Sequence, residues 1–399
     1  MKKLFCIFLT ICVVTLSGCG GKDEKLHCNM DLERTAPYTS FAPAAQWKDV
    51  DGNLIQAHGG QVQIMPVPDG NGGKVEKYVW VGENKSQGFG HLGNCVAVYT
   101  SDDLYNWMFE GDVLRSVPTR DALQTDEYFT ALYKDYTEAE LDHVYECIGT
   151  HAVIERPKML YNEKTDKYVI WFHNDNSTEK NEYKYDVGMS GVAISDSPFG
   201  PFKFIERYRL HECPEGQIDC YPTSKGEARD MNLFKDDDGT AYIIYSSENN
   251  KTLYISKLNE EYTYLSEKPE DAVYLEDYIR LFPGAMREAP ALCKGDNGRY
   301  YLMSSSTTGW MSNQARVWSA DTLFGEWRND GNPCVGYGAD VTFDTQSTCL
   351  FRAKNGQWIY YGDRWNGERL FDSRYVWLPV EFDGDRLTIS WQEEWVWEN

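Results

Sequence analysis

The sequence has few basic residues and no clustered positive charge. Lysine and arginine total 39 against 62 aspartate and glutamate residues, so the formal net charge is −23. This argues against nucleic acid or an anionic lipid surface as a partner, since both attract basic patches. After the first 19 residues there is no low-complexity tract and no apolar run of the roughly 20 residues that a membrane helix requires. We therefore expect no nucleic-acid partner.

Metal-binding cysteine spacings are also missing. The chain has 11 cysteines, and their positions match no zinc or haem motif, so we predict no metal site from them. Cys213 and Cys220 share one loop and can form a disulfide in an oxidising compartment. Cys293 and Cys349 occupy apolar strand positions, which favours buried thiols.

The N-terminus has the features of a targeting segment. Lys2 and Lys3 precede an apolar stretch from Leu4 to Leu16, as in a secretory signal peptide. The following Leu16-Ser17-Gly18-Cys19 resembles a bacterial lipobox. The resemblance implies cleavage before Cys19, its lipidation, and a lipoprotein on the periplasmic or cell-surface side of the outer membrane. The alternatives are an ordinary signal peptide or a short membrane anchor.

One sequence pattern occurs five times between residues 58 and 362. Each copy has a polar residue, a short apolar run, a turn, and an aromatic-rich run, and the turns include Asp236-Asp237-Asp238-Gly239. Turns of this kind between apolar runs indicate β-hairpins. The polar residues at the heads of the copies are His58, Glu155, Asp230, Glu288 and Gln346. The last three are evenly spaced (288 − 230 = 58 and 346 − 288 = 58).

Repeats with about four short strands each predict a β-propeller, and five copies predict five blades. We therefore predict an all-β fold with a signal peptide at 1–18, a tether at 19–44 and a five-bladed β-propeller at 45–399. Irregular inserts are expected at 109–150, with a short helix near 137–141, and at 205–228. Such inserts usually shape a binding rim.

The five head residues should meet at one end of the central channel, where they are too polar to be core. Carboxylates that converge in a pocket, without a metal motif or a nucleophile elbow, suggest glycoside hydrolysis. An inverting enzyme needs a carboxylic acid and a water-activating group roughly 6.5–9.5 Å apart. Glu288 suits the acid, because the apolar residues after it would raise its pKa. Asp230 could adjust that pKa by like-charge repulsion.

Each of these carboxylates also has a purely structural interpretation. Asp230 could form an ion pair with Arg229, and Glu155 could form one with Arg156. Glu288 could be an ordinary channel residue. The aromatic content of 14% fits either sugar-stacking surfaces or propeller cores.

Four motifs together resemble glycoside hydrolase family 43. They are Glu155-Arg156-Pro157-Lys158, Arg229-Asp230-Met231-Asn232, Glu288-Ala289-Pro290-Ala291 and Gln346-Ser347-Thr348. The resemblance covers residues 45–399 and implies a five-bladed inverting enzyme acting on a polysaccharide or oligosaccharide. It also implies that Glu288 is the general acid and that Asp230 modulates its pKa.

The sequence departs from the family pattern in the first blade. The usual catalytic base is an aspartate at the head of that blade, where this chain has Gln56-Ala57-His58. In this respect the chain resembles the exo-β-1,3-galactanase subgroup. That resemblance implies Gln346 as an unusual base or a water-orienting residue, with Glu155 assisting at the sugar. It further implies substrate contacts from Glu83, Asn249, Thr308 and Trp310.

The resemblance requires no cofactor but allows a structural calcium ion, because some members carry a central ion. His58 and His91 could help to hold it, or could be structural histidines. Two other functions remain open. One is α-L-arabinofuranosidase or β-xylosidase activity within the family, against which the missing aspartate argues. The other is a non-catalytic glycan-binding lipoprotein, against which the paired Glu288 and Asp230 argue.

Overall fold

Five small sheets make up nearly the whole of the structure. The computed structural model describes residues 32–86, 92–176, 185, 187–221 and 225–397. Within these residues, four sheets contain four antiparallel strands each and one contains five strands. The predicted all-β, five-bladed propeller is confirmed.

In the first four blades the chain starts at the inner strand and adds strands outward in chain order; blade five does the same for four strands and has a fifth, short strand at its outer edge. Blade one contains β1 (His58–Pro68), β2 (Lys74–Asn84), β3 (Cys95–Ser101) and β4 (Met108–Leu114). Blade two contains β5 (Ala152–Asn162), β6 (Lys167–Asn176), β7 (Met189–Ser195) and β8 (Lys203–Tyr208). Blade three contains β9 (Met231–Lys235), β10 (Ala241–Ser247), β11 (Thr252–Lys257) and β12 (Tyr278–Leu281).

Blade four contains β13 (Arg287–Lys294), β14 (Tyr300–Ser306), β15 (Arg316–Ala320) and β16 (Arg328–Gly331). Blade five contains β17 (Cys334–Val335), β18 (Gln346–Arg352), β19 (Trp358–Arg364), β20 (Arg374–Asp383) and β21 (Arg386–Ser390). In blade five the short β17 pairs in parallel with the outer strand β21. The inner strands β1, β5, β9, β13 and β18 contact one another in that order, and β18 contacts β1, which closes the ring.

A β-bulge follows the head residue in several inner strands. The pairing register shifts just after His58, Glu155 and Glu288. The residue after each of these has a positive φ: 58° at Gly59, 54° at Arg156 and 53° at Ala289. A bulge of this kind bends the strand and re-aims a side chain; Glu155 and Glu288 line the cavity, whereas His58 does not. For the two non-glycine residues this backbone conformation costs roughly 1–3 kcal/mol each.

The insert between blades one and two is helical. It forms α1 (Ala122–Thr125), α2 (Glu127–Tyr133) and α3 (Glu138–Ile148). The predicted short helix corresponds to the start of α3, where Thr137 and Glu140 form a reciprocal capping box. Helix α3 buries one apolar face, including Leu141 and Val144, in the cluster that contains the core of blade two. The helices α1 and α2 were not predicted.

The segment just before residue 45 packs into the domain, which corrects the predicted end of the tether at residue 44. Tyr38 is 4% exposed and Phe41 is 2% exposed. The backbone N–H of Phe41 donates to the carbonyl of Trp395 at 2.8 Å, and that of Tyr38 donates to Asn106 Oδ1 at 2.7 Å. The domain therefore begins at Tyr38 or earlier, because apolar burial and paired backbone groups are features of the folded core.

The Cys213–Cys220 disulfide is present. The loop that it closes is held by Arg280, whose guanidinium donates to the carbonyl oxygens of Asp219 at 3.1 Å and Ile218 at 3.4 Å. Insert 205–228 thus begins as the end of β8 and continues as a cross-linked loop beside blade three.

Several predictions fall outside the described residues. These are the signal peptide at 1–18, the lipidated Cys19 and the channel histidine His91. In the part of the chain that the structure describes, no helix is long and apolar enough to cross a membrane.

Candidate active site

A cavity of about 540 Å³ lies where the five blades meet. Every blade contributes a polar side chain to it: Glu83 of β2, Glu155 of β5, Asp230 just before β9, Glu288 of β13 and Gln346 of β18. The other lining residues are Lys85, Arg156, His173, Tyr185, Arg229, Asn249, Asn250, Gly309, Trp310 and Trp365. The structure therefore brings together four of the five predicted head residues.

The fifth head residue, His58, is a structural residue. It is fully buried, its Nδ1 lies 3.6 Å from Asp363 Oδ1, and its ring stacks on Tyr375 at 5.0 Å. It does not line the cavity. Blade one instead supplies Glu83 from its second strand. Gly59 is what leaves room for that carboxylate, because a Cβ there would lie 2.4 Å from Glu83 Oε1.

Glu288 has the environment of a general acid. Burial, followed by repulsion from Asp230, raises its pKa to about 8. Arg156 and a hydrogen bond from Gln346 act in the opposite direction but do not offset burial. A carboxyl group that keeps its proton at neutral pH can donate it to a leaving oxygen.

Asp230 is held next to the backbone of Glu288. Its Oδ2 accepts a hydrogen bond from the N–H of Ala289 at 3.1 Å and lies 3.3 Å from Arg156 Nε. This arrangement fixes a negative charge beside Glu288, which is the geometry that the predicted pKa modulator requires.

The structural ion pairs that the sequence suggested, Arg229 with Asp230 and Glu155 with Arg156, do not form. Arg229 pairs with Glu227 at 3.0 Å and lies 3.5 Å from Asp175 Oδ2. Arg156 pairs with Asp230. In both cases the neighbour in sequence points elsewhere, because the bulge and the strand pleat separate consecutive side chains.

Gln346 has all of its amide bonding positions filled. Its Oε1 accepts from Trp365 Nε1 at 2.8 Å and from Arg156 Nη2. Its Nε2 donates to Glu288 Oε1 at 2.9 Å and to Ser305 Oγ at 3.0 Å. A flipped amide would place its N–H groups against two donors, so the hydrogen bonds determine its orientation.

This arrangement does not suit Gln346 as the base. The imidic-acid tautomer would carry a hydroxyl at Oε1, where both Arg156 and Trp365 are donors. In addition, Gln346 Nε2 lies 2.9 Å from Glu288 Oε1, whereas an inverting pair stands roughly 6.5–9.5 Å apart to admit sugar and water. In this geometry the Gln346 amide donates a hydrogen bond to the carboxyl of Glu288.

Glu155 lines the cavity from a blade that is not adjacent to the blade of Glu288. It is 7% exposed, its Oε1 accepts a hydrogen bond from the Tyr185 hydroxyl at 2.8 Å, and its Oε2 lies 3.7 Å from His173 Nδ1. Glu155 lies on β5 and Glu288 on β13. Going round the ring of inner strands, β9 lies between these two strands in one direction, and β18 and β1 lie between them in the other. Glu155 therefore faces Glu288 from another wall.

Glu83 sits at the blade-one wall with a cationic partner. Its Oε1 accepts from the backbone N–H of Arg156 at 3.0 Å and its Oε2 lies 2.5 Å from Lys85 Nζ. The Lys85 ammonium lies 5.5 Å from the ring of Trp365 and 6.0 Å from that of Trp310. Carboxylate, ammonium and indole rings are groups that can bind sugar hydroxyls and ring faces.

Two further predicted contact residues differ in their position. Asn249 lines the cavity, and its backbone N–H donates to Glu227 Oε2 at 2.6 Å. Thr308 is exposed and does not line the cavity. Its hydroxyl donates to the carbonyl of Met311 at 2.6 Å, so it supports the loop that carries Trp310. Substrate contact by Thr308 stays a prediction.

The described channel residues do not fit a central calcium ion. The buried amino group of Lys158 donates to the carbonyl oxygens of Gly59 at 2.6 Å and of Arg156 at 3.2 Å. Carbonyl oxygens are ligands that calcium uses, and here an amino group of the protein already bonds to them. The guanidinium of Arg156 places a positive charge nearby.

One group of potential metal ligands lies on the outer edge of blade two. Among the described residues, His143, Cys147 and Glu206 bring their ligand atoms within 4.8 Å of one another. His143 Nε2 already bonds Glu206 Oε1 at 2.6 Å, and burial raises the pKa of the Cys147 thiol to about 12. We assign this group no role in the cavity.

The lining residues that were not predicted include Lys85, His173 and Tyr185. His173 offered a signal, since it ends an apolar run and Asp175 follows two residues later. That spacing on a strand places both side chains on one face. Lys85 and Tyr185 gave no such pattern.

A five-bladed propeller whose cavity holds a buried glutamic acid of raised pKa together with other carboxylates has the groups that glycoside hydrolysis requires. The model of glycosyl hydrolases family 43 matches residues 157–373. The chain belongs to this family.

Solved structures of similar architecture point in the same direction. A family 43 β-1,3-galactosidase solved with galactodeoxynojirimycin is 34% identical, with a TM-score of 0.71 over 90% of this chain and 100% of that one. The exo-β-1,3-galactanase of Phanerochaete chrysosporium, solved with galactose, is 28% identical, with a TM-score of 0.68 over 90% and 68%. That of Clostridium thermocellum is 31% identical, with a TM-score of 0.67 over 89% and 66%. Comparison with curated proteins found no significant match.

Proposed function

We propose that this glycoside hydrolase is an inverting exo-β-1,3-galactanase, which releases galactose from the non-reducing end of β-1,3-galactan. The observation that carries the proposal is the pairing of protonated Glu288 with Asp230 in a cavity to which all five blades contribute. A cavity enclosed in this way admits a chain end. The similar β-1,3-galactosidase and exo-β-1,3-galactanase structures support galactose as the sugar.

The chemistry assigns one proton transfer to each side of the sugar. Glu288 gives its proton to the glycosidic oxygen as the bond from that oxygen to the anomeric carbon breaks. Glu155 takes a proton from the water that attacks the opposite face, so galactose leaves as the α-anomer. Gln346 orients Glu288, and Asp230 maintains its pKa.

The sugar itself would be held by the rest of the wall. Glu83, Lys85 and Asn249 offer charged and polar groups to its hydroxyls. Trp310 and Trp365 offer ring faces, with centroids 5.1 Å apart.

Debranched β-1,3-galactan is the substrate that tests this function. We expect galactose as the main product, and NMR within the first minutes should show the α-anomer before mutarotation. Matched incubations with aryl α-L-arabinofuranoside and aryl β-xyloside serve as controls. Cleavage of those and not of galactan would move the activity elsewhere in the family. Binding of galactan without any cleavage would leave a glycan-binding protein.

The lipobox-like segment also supports an anchor. The protein would be attached through Cys19 to the outer membrane, on its periplasmic or cell-surface side. In cells labelled with radioactive palmitate, we expect label in the wild type and none in Cys19→Ser. Cys28→Ser is the control, because that cysteine lies outside the lipobox. Label retained in Cys19→Ser would rule out this anchor.

A further inference from the structure

His173 is a buried histidine that faces two carboxylates of the cavity. It lies in β6, is 2% exposed and lines the cavity. Its Nδ1 is 3.7 Å from Glu155 Oε2 and 3.9 Å from Asp230 Oδ1. These distances are too long for hydrogen bonds, and among the described residues no other group bonds this nitrogen. The imidazole edge is thus directed between the two carboxylates.

The other edge of the ring is bonded to Asp175. His173 Nε2 lies 3.3 Å from Asp175 Oδ2. Asp175 is itself fixed, because its oxygens accept from the backbone N–H groups of Val187 at 2.6 Å and Gly188 at 2.9 Å. With its orientation set in this way, the imidazole cannot turn away from the cavity without losing that bond.

The groups around this imidazole favour its charged form. Burial lowers the pKa of His173, but Asp175 and Glu155 raise it by more, and the net value is about 9. The charged groups around the His173 imidazole come from four places: Glu155 and Arg156 of β5, Asp175 of β6, Arg229 and Asp230 before β9, and Glu83 of β2. The Tyr185 ring stacks on the imidazole.

We propose that His173 is a positioning residue of the hydrolase. Oriented by Asp175, it acts as a fixed imidazolium that Glu155 and Asp230 share. A positive charge placed between these two carboxylates favours their ionised forms beside the acid Glu288. The proposal rests on the proposed function for its catalytic meaning, since an ionised Glu155 is what activates water.

This role differs from packing in one measurable respect. A charge placed within about 4–6 Å of a carboxylate shifts its ionisation by roughly one to three pH units. Removing that charge while keeping the shape must therefore move the pH profile, whereas a packing defect lowers activity equally at every pH. The low-pH limb of the kcat/KM profile reports the ionisation of the group that acts as the base.

The test measures kcat/KM for β-1,3-galactobiose against pH in the wild type and in His173→Gln. Glutamine is neutral and retains a donor. We expect the low-pH limb to move upward by about one pH unit, which lowers kcat/KM about tenfold below that limb. His211→Gln is the control. His211 is also buried and stacks on Tyr278 at 4.0 Å, but burial lowers its pKa to about 4, so this change removes no charge and should leave both limbs in place.

A direct measurement of charge complements the kinetics. NMR of histidine-labelled wild type should show the His173 ring still protonated at pH 8. Deprotonation below pH 7, or a fall in kcat/KM in His173→Gln that is uniform with pH, would overturn the proposal. If His173→Gln does not fold, triple-resonance assignment of the wild-type signal still decides the charge. If the wild type releases no galactose, the proposed galactanase function is wrong, but the NMR measurement still tests the charge of His173.

Discussion

Glu288→Gln is expected to lower kcat on β-1,3-galactobiose by about 10²- to 10⁴-fold, which is the range that general acid catalysis contributes. Glutamine keeps the size of the side chain and its contact with Gln346, which lies 2.9 Å from Glu288 Oε1. It has no proton to give to the leaving oxygen. The loss should therefore appear in kcat, with little change in KM.

The dependence on the leaving group distinguishes lost acid catalysis from a damaged site. With 2,4-dinitrophenyl β-galactoside, whose leaving group needs no proton, the same variant should retain most of the wild-type rate. In the wild type, kcat/KM for galactobiose should fall as pH rises through about 8, because Glu288 then loses its proton. Glu288→Gln should lack this high-pH limb.

Stability provides the folding control for this variant. A carboxyl whose pKa is raised from 4.5 to about 8 on folding stabilises the native state fully at low pH, and this is lost as pH rises between those values. Glutamine removes that dependence, so Glu288→Gln should unfold at an equal or higher temperature than the wild type at pH 8. Equal rate losses on both substrates would contradict Glu288 as the acid.

Glu155→Gln is expected to produce a second large loss, again about 10²- to 10⁴-fold in kcat. The variant keeps a group that can accept from the Tyr185 hydroxyl but cannot take a proton from water. Azide, which needs no base, should restore activity and give the inverted α-galactosyl azide.

Gln346→Ala is the matched comparison. It removes the bond that orients Glu288 and leaves the buried donors of Arg156 and Trp365 without their acceptor, at a cost of about 1–3 kcal/mol for each unpaired group. We expect a smaller loss in kcat and no rescue by azide. Rescue of Gln346→Ala together with no rescue of Glu155→Gln would identify Gln346 as the base.

The sequence was most informative where a pattern repeats. The head residues Glu155, Asp230, Glu288 and Gln346 were found because each opens the same strand-turn-strand unit, and all four line the cavity. His58 opens the same unit, yet it is buried against Asp363. A repeat fixes the position of a residue on its blade but not the direction in which a bulge turns its side chain.

The remaining site residues depend on contacts between distant segments. Arg156 meets Gln346 across 190 residues, and no local pattern encodes such a pairing. Gln346 was considered as a base because its type and position matched a subgroup, but only its four bonds reveal the orientation of the amide. The domain boundary predicted at residue 45 falls too late for a similar reason, since Phe41 packs against the distant rings of Tyr105, Trp377 and Trp395.

The bond between Phe41 and Trp395 also constrains how the molecule can fold. These residues are 354 positions apart (395 − 41 = 354), and they join blade one to blade five through a cluster of tryptophans. During synthesis that cluster has no partner until almost the whole described chain has emerged. Contacts of such long range form late and slowly. Until they form, the ring is an open arc whose aromatic edges are exposed to water and to neighbouring chains.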